Sequence, residues 1–332
     1  IATTMYRNNP AGTGELFGAP EFTSLDVAWV YPTQGFDRRY LSPIFGDGQV
    51  YFAEEQTVVA VNATSGAKAW QVQHRELAVT PRLKQYTGIG PVVSTTPGKV
   101  LVPCGNGNLV ALHSTDGSIA WTARLNGLIT NPVIVDSVVY VTDDAGLAAV
   151  SSDDGTILWR VDAGGQPEQY AMVVVADGHA YYGTQDGRIH RIDIAKRKQV
   201  ATFALGGREI NGTFCHDGGF LYVGLHDPIR ILKIDVETGK TIQRDTGSGL
   251  TRTGMQVTDD YLLVFGVHNP GCVHASDLSR FFPIIRCALA PRGTSMTYDM
   301  QYSGATIVGK QILYLNACGN QPSPVWVTRL TD

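Results

Sequence analysis

Glycine stands four residues before tryptophan at three places in the chain. These are TSGAKAW, with Gly66 and Trp70; TDGSIAW, with Gly117 and Trp121; and DDGTILW, with Gly155 and Trp159. A tight turn, then a short apolar segment that delivers a large plate at a fixed distance, is one supersecondary unit. Its recurrence directs the chain to a repeat architecture before any chemistry is considered. ETGKTIQ, around Gly239, and AKRKQVA, from Ala195 to Ala201, keep the frame and lose the tryptophan.

Each turn sits inside a longer unit. GDGQVYFAEEQTVVAVNATSGAKAW, residues 46–70, reads as turn, strand, polar hairpin, strand, turn, strand, with Val, Tyr and Phe at alternating strand positions. Seven such copies follow one another, mostly about forty residues apart, with a longer insertion between the first two. A further strand precedes several of them: GPVVST, TNPVIV and YAMVVV. Four-stranded antiparallel units at this period predict an all-β chain folded as a single β-propeller of seven blades, with eight as the alternative.

Residues 1–25 are then an extended leader and 26–332 the propeller. The final copy reaches Asp332 before its turn and outer strand. DVAWVYP, at 26–32, is expected to complete that last blade and close the ring, which removes an exposed sheet edge. Trp29 falls where the motif tryptophan belongs. Trp29, Trp70, Trp121 and Trp159 are thus expected as plates between blades, each worth several kcal/mol of core (about 3–5 on removal). Gly66, Gly117, Gly155 and Gly239 are expected to supply positive φ in the turns.

A chain of 332 residues that is 43% hydrophobic has ample core, and its 37 glycines suit many tight turns rather than long helices. A net charge of −4 gives no footprint for nucleic acid. No apolar run approaches the ~20 residues of a membrane span. Five cysteines without a CxxC are neither a disulfide scaffold nor a zinc pattern. Asn62-Ala-Thr64 and Asn211-Gly-Thr213 are acceptor triplets for glycosylation in a secreted eukaryotic protein.

LVALHSTDGSIAW and VVAVNATSGAKAW match a repeat written G-x-LYALD followed by xTGxxxW, and MYRNNPAGTGE is similar to the leader FRGNPARTG. The chain therefore resembles the pyrroloquinoline-quinone-like β-propeller repeat family over residues 5 to about 246. That family has a dehydrogenase branch, which holds the quinone and a calcium ion over the ring axis. It also has a non-catalytic branch of outer-membrane-assembly type, which uses the ring for docking. The vicinal cysteine pair of the dehydrogenases has no counterpart, since Cys104, Cys215, Cys272, Cys287 and Cys318 are all separated. The resemblance thus implies a non-catalytic scaffold without a cofactor, outside the cytoplasm (secreted, cell-surface or periplasmic), engaging a protein or glycan through one face. It is not that of a close orthologue. The alternative it leaves is an oxidoreductase dependent on pyrroloquinoline quinone with calcium.

The hairpin between the second and third strand of each blade points to one face, so equivalent positions assemble a polar set. It comprises Glu54 and Glu55, Asn106, Asp143 and Asp144, Gln185 and Asp186, His226 and Asp227, His268 and Asn269, and Asn320. GLHDP and GVHNP stand forty-two residues apart at the same point of neighbouring copies. Two imidazoles with carboxylates nearby offer ligands for a transition metal, or an acid and a base, so a metal-dependent hydrolase or lyase on His226 and His268 is a second alternative. The same tripeptides are also good hairpin turns in their own right, capped by Asp or Asn and stiffened by Pro. Cys272 and Cys287 flank the sixth copy's last hairpin at a spacing compatible with a disulfide. AKRKQ, 195–199, is a basic turn, expected at an exposed blade edge rather than in a nucleic-acid patch.

Overall fold

The structure, a computed structural model, describes residues 11, 29, 31, 43–54, 57–73, 94–104, 106–127, 129–162, 164–168, 172–206, 210, 214–225, 230–245, 250–257, 261–266, 270–279, 282–283, 305–308, 311–315 and 325–329. It falls into two compact units, the first of Ala2–Tyr6 and Leu25–Ala204 and the second of Ile1, Arg7–Ser24 and Leu205–Asp332.

In the first unit, β1 (Ile44–Gly46), β2 (Gln49–Glu54), β3 (Thr57–Asn62) and β4 (Lys68–Gln73) form one antiparallel sheet in chain order. The second sheet is β5 (Ser94–Thr96), β6 (Lys99–Pro103), β7 (Asn108–His113) and β8 (Ile119–Arg124). The third is β9 (Val133–Val135), β10 (Val138–Asp143), β11 (Gly146–Ser151) and β12 (Ile157–Val161). The fourth is β13 (Val174–Ala176), β14 (His179–Thr184), β15 (Arg188–Asp193) and β16 (Lys198–Ala204).

In the second unit come β17 (Cys215–Asp217), β18 (Phe220–Leu225), β19 (Arg230–Asp235) and β20 (Thr241–Asp245). The sixth sheet is β21 (Leu250–Val257), β22 (Tyr261–Gly266), β23 (Pro270–His274) and β24 (Phe282–Pro283). The seventh has three described strands, β25 (Ala305–Val308), β26 (Gln311–Leu315) and β27 (Val325–Arg329). All described secondary structure is β, as the repeat predicts. Of residues 26–32, expected to pair with the last copy, 26–28, 30 and 32 lie outside the described residues.

The two middle strands of a sheet are buried on both faces. Val58 to Val61 in β3, Leu109 to Leu112 in β7 and Leu147 to Val150 in β11 are all inaccessible or nearly so. Strict alternation is not needed there, because neighbouring sheets cover both sides. Outer strands such as β8 instead alternate between exposed and buried positions.

One turn geometry links the third strand to the fourth. Gly66 N donates to Asn62 O, Gly117 N to His113 O, Gly155 N to Ser151 O and Gly239 N to Asp235 O, all at 2.8–3.0 Å. These glycines have φ of 70–75°. Trp70 and Trp121, which follow two of these turns, lie over the turn of the next sheet. Trp70 Nε1 donates to Ser114 O at 2.8 Å, and Trp121 Nε1 to Ser152 O at 3.1 Å. A Cβ on Gly117 would come within 2.8 Å of Trp70 Cε3, and one on Gly155 within 2.6 Å of Trp121 Cε3. Trp29 repeats the relation, donating to Ala63 O at 2.9 Å with its ring over Gly66. On the third strand, Ala60, Ala111 and Ala149 face Trp70, Trp121 and Trp159 across the ladder, beside a recurring β-bulge.

The lock changes where the sequence loses a member. Trp159 is followed one sheet later by Arg197 at the glycine position, with φ 53°, and in the sixth sheet that place is taken by Leu278 at φ 60°. Lys233 stands where Ala60, Ala111 and Ala149 stand in their sheets. Its Nζ donates to Ala275 O at 2.8 Å and to Ser276 O at 2.9 Å. Ala275 O is the counterpart of the carbonyls that take the indole N–H groups in the first unit. Lys233 therefore replaces a tryptophan–alanine pair with one long cation, set 4.0 Å from the centre of the Phe220 ring.

Candidate functional site

The polar hairpins expected to carry function are positioned by the chain that enters each sheet. Thr130 N donates to Thr142 O at 3.0 Å, Glu168 N to Gly183 O at 2.8 Å, and Ile210 bridges Leu225. Each incoming segment thus lies against the end of the second strand and fixes the hairpin beyond it.

Asp143 was expected among the exposed polar residues, and the fold turns it inward. Its carboxylate is fully buried and paired with Arg160 at 2.6 Å. The same oxygen accepts Asn126 N at 2.9 Å, while the other accepts Ala145 N at 2.9 Å. A buried carboxylate needs such partners, and these leave Asp143 a structural anchor rather than a ligand group. Its neighbour Asp144 is exposed, as are Asn106, Gln185 and Asp186. Asn106 Oδ1 accepts Asn108 N at 3.1 Å and shapes its own turn.

Two residues of the fourth hairpin carry chemistry that the sequence reading did not single out. Thr184 Oγ1 donates to Asp186 Oδ1 at 2.6 Å and lies 3.2 Å from His190 Nε2. The threonine has one proton, so His190 Nε2 is the donor to it. His190 Nδ1 lies 3.0 Å from Gln199 Oε1, and Gln199 Nε2 donates to Thr202 Oγ1 at 2.9 Å. Burial holds the His190 imidazole below its ordinary value, against the opposing pull of Gln199 and Asp186. Thr184 and His190 are almost fully buried, so the chain of bonds stiffens the hairpin, with Asp186 exposed at one end and Gln199 and Thr202 at the other; Asp186 also pairs with Arg188 at 3.3 Å. The available sequence signal was His190 itself, a polar residue among isoleucines in RIHRID, stacked on Tyr182 at 5.2 Å.

Among the described residues no group of three His, Cys, Asp or Glu side chains converges to hold a metal ion, and no helix is long and apolar enough to cross a membrane. Glu55, His226, Asp227, His268, Asn269, Asn320, Asn211, Cys287 and Cys318 lie outside the described residues. Glu54 and Cys272 belong to β2 and β23 by their backbone. Cys104 is a buried thiol whose Sγ lies 3.4 Å from Val102 O. Asn62 is exposed, but its Oδ1 caps the turn by accepting Thr64 N and Ser65 N at 3.0 and 2.9 Å.

With these features in place, residues 54–205 match the family model described as outer membrane protein assembly factor BamB. Over that stretch the repeats are similar to those of the pyrroloquinoline-quinone-like type. The assembly factor BamB of Moranella endobia is 28% identical over 213 residues, 58% of this chain and 50% of its own. That of Yersinia pestis is 30% identical over 206 residues, 56% of this chain and 48% of its own. The chain thus spans about half the length of the curated relatives it matches, and it is a close orthologue of neither. A quinohemoprotein alcohol dehydrogenase, ADH IIB of Pseudomonas putida, is 24% identical over 156 residues, 43% of this chain and 23% of its own. Among solved structures, BamB from Moraxella catarrhalis superposes with a TM-score of 0.63 at 14% identity, covering 85% of this chain and 82% of that one. That likeness concerns the fold, which is of the β-propeller class.

Proposed function

We propose that the protein is a non-catalytic scaffold acting outside the cytoplasm, which engages a protein partner through the hairpin ends of its sheets. The observation that carries this reading is the division of labour at those hairpins. The groups with the strongest chemistry, Asp143, Thr184 and His190, are buried and, with Arg160 as the partner of Asp143, committed to the fold. Asn106, Asp144, Gln185 and Asp186 are exposed and spread over three hairpins. Exposed groups held on a stiff frame suit recognition over a broad surface; catalysis would require groups that converge. The assembly factors among the relatives support a protein rather than a glycan as the partner, and the same likeness supports the compartment.

The rival is the quinone-dependent oxidoreductase, kept in view by the dehydrogenase relative. Pyrroloquinoline quinone added with calcium is expected to leave the quinone absorption and the melting temperature unchanged. A saturable spectral change with a raised melting temperature would replace the scaffold by a dehydrogenase.

A further inference from the structure

Away from the hairpins, the outer strand of the fourth sheet combines exposed apolar side chains with a basic turn. All the large apolar side chains exposed among the described residues, Ile119, Ile157, Leu158, Val200 and Ile242, sit on outer strands, in β8, β12, β16 and β20. Of these strands β16 is the longest, with seven residues, and its first three positions are all exposed. It is the terminal strand of its sheet, and among the described residues no strand pairs with its outer side.

The turn that feeds β16 has the opposite charge from most of its sister turns. Lys196, Arg197 and Lys198 stand there, where the second sheet carries Asp116 and the third Asp153 and Asp154. Lys196 pairs with Asp193 at 2.6 Å. Among the described residues no carboxylate pairs with Arg197 or Lys198. Arg197 also adopts φ 53° at a position where four sister turns use glycine. The left-handed region costs a residue with a side chain about 1–2 kcal/mol, so the cation is held where glycine would relieve strain.

We propose that the outer edge of β16 receives an acidic, extended segment of a partner protein as an added strand. Its backbone continues the ladder of β16, its apolar side chains lie against Val200, and its carboxylates meet Arg197 and Lys198. The free edge supplies affinity, and the basic turn selects the sign of the ligand in a chain that is itself net negative.

The test uses a fluorescent peptide of alternating glutamate and valine, titrated into the whole chain and followed by anisotropy. Two controls accompany it: the lysine–valine peptide, and the glutamate–valine peptide N-methylated at every second residue. Binding is expected only for the unmethylated acidic peptide, weakened about tenfold or more by Arg197→Glu with Lys198→Glu. Arg197→Gly separates this from a structural role, since it should raise the melting temperature while lowering the affinity. Equal binding of either control peptide, or unchanged affinity in the charge-reversed variant, would overturn the proposal. So would self-association that those substitutions abolish, or binding to phosphatidylglycerol vesicles without binding to the peptide.

Discussion

At Gly117 a side chain has no room and the wrong backbone. With φ 74°, an added Cβ would lie 2.7 Å from Val72 Cγ1 and 2.8 Å from Trp70 Cε3. Gly117→Ala therefore combines the left-handed penalty with overpacking, and should cost about 2–5 kcal/mol in urea unfolding. Gly239 has the same φ, 72°, but a Cβ there meets no described atom within 4 Å. Gly239→Ala should cost only about 1 kcal/mol, the backbone part alone. Equal losses at the two sites would remove the tryptophan plate from the explanation. Lys233 invites a matching test. Lys233→Met keeps the stem and leaves the carbonyls of Ala275 and Ser276 without its ammonium, for an expected loss of about 1–3 kcal/mol. The glycine–tryptophan locks could be read from spacing, because each member is a rare residue at a fixed offset. The lysine could not, since its role depends on lying two residues before the turn of a sheet whose outer strand carries Gln243 in place of tryptophan.

Strand order, hairpins and turns were legible, because period-two apolar segments and turn residues recur with the repeat. What the pattern could not give was direction across a sheet. Asp143 and Asp144 are adjacent acids in one hairpin, yet one is buried against Arg160 and the other is exposed. That choice is made by Asn126 and Arg160, which come from the incoming segment and the outer strand. In β15 the buried His190 makes the element sensitive to pH. Its folded-state pKa lies below the value of the unfolded chain, so the folded form binds fewer protons near and below pH 6.5. Stability should be fully present above about pH 6.5 and decline as the pH falls below it. His190→Gln should flatten that decline, as measured by urea midpoints from pH 7.5 down to pH 5. An unchanged slope in the variant would assign the decline to another group.

For the whole molecule, the repeat fixes a frame with two distinct kinds of surface. The hairpin ends carry exposed amides and carboxylates on braced loops, whereas the outer strands carry apolar side chains on open edges. The partner's identity was not legible, because exposed polar residues on a rigid frame name no ligand by themselves. His226 and His268, the two histidines that stood out in the sequence, fall outside the described residues, so the hairpin surface is defined by the first unit. The most direct measurement places a photocrosslinking residue at Asn106 or Gln185 and, for comparison, at Asp116 or Asp154 in the turns at the other end of the sheets. After exposure to an envelope extract, the hairpin probes should yield one discrete protein adduct that excess unlabelled protein suppresses, and the turn probes should not. Adducts of equal yield from both ends, or none from the hairpins, would contradict a scaffold that binds through its hairpin surface.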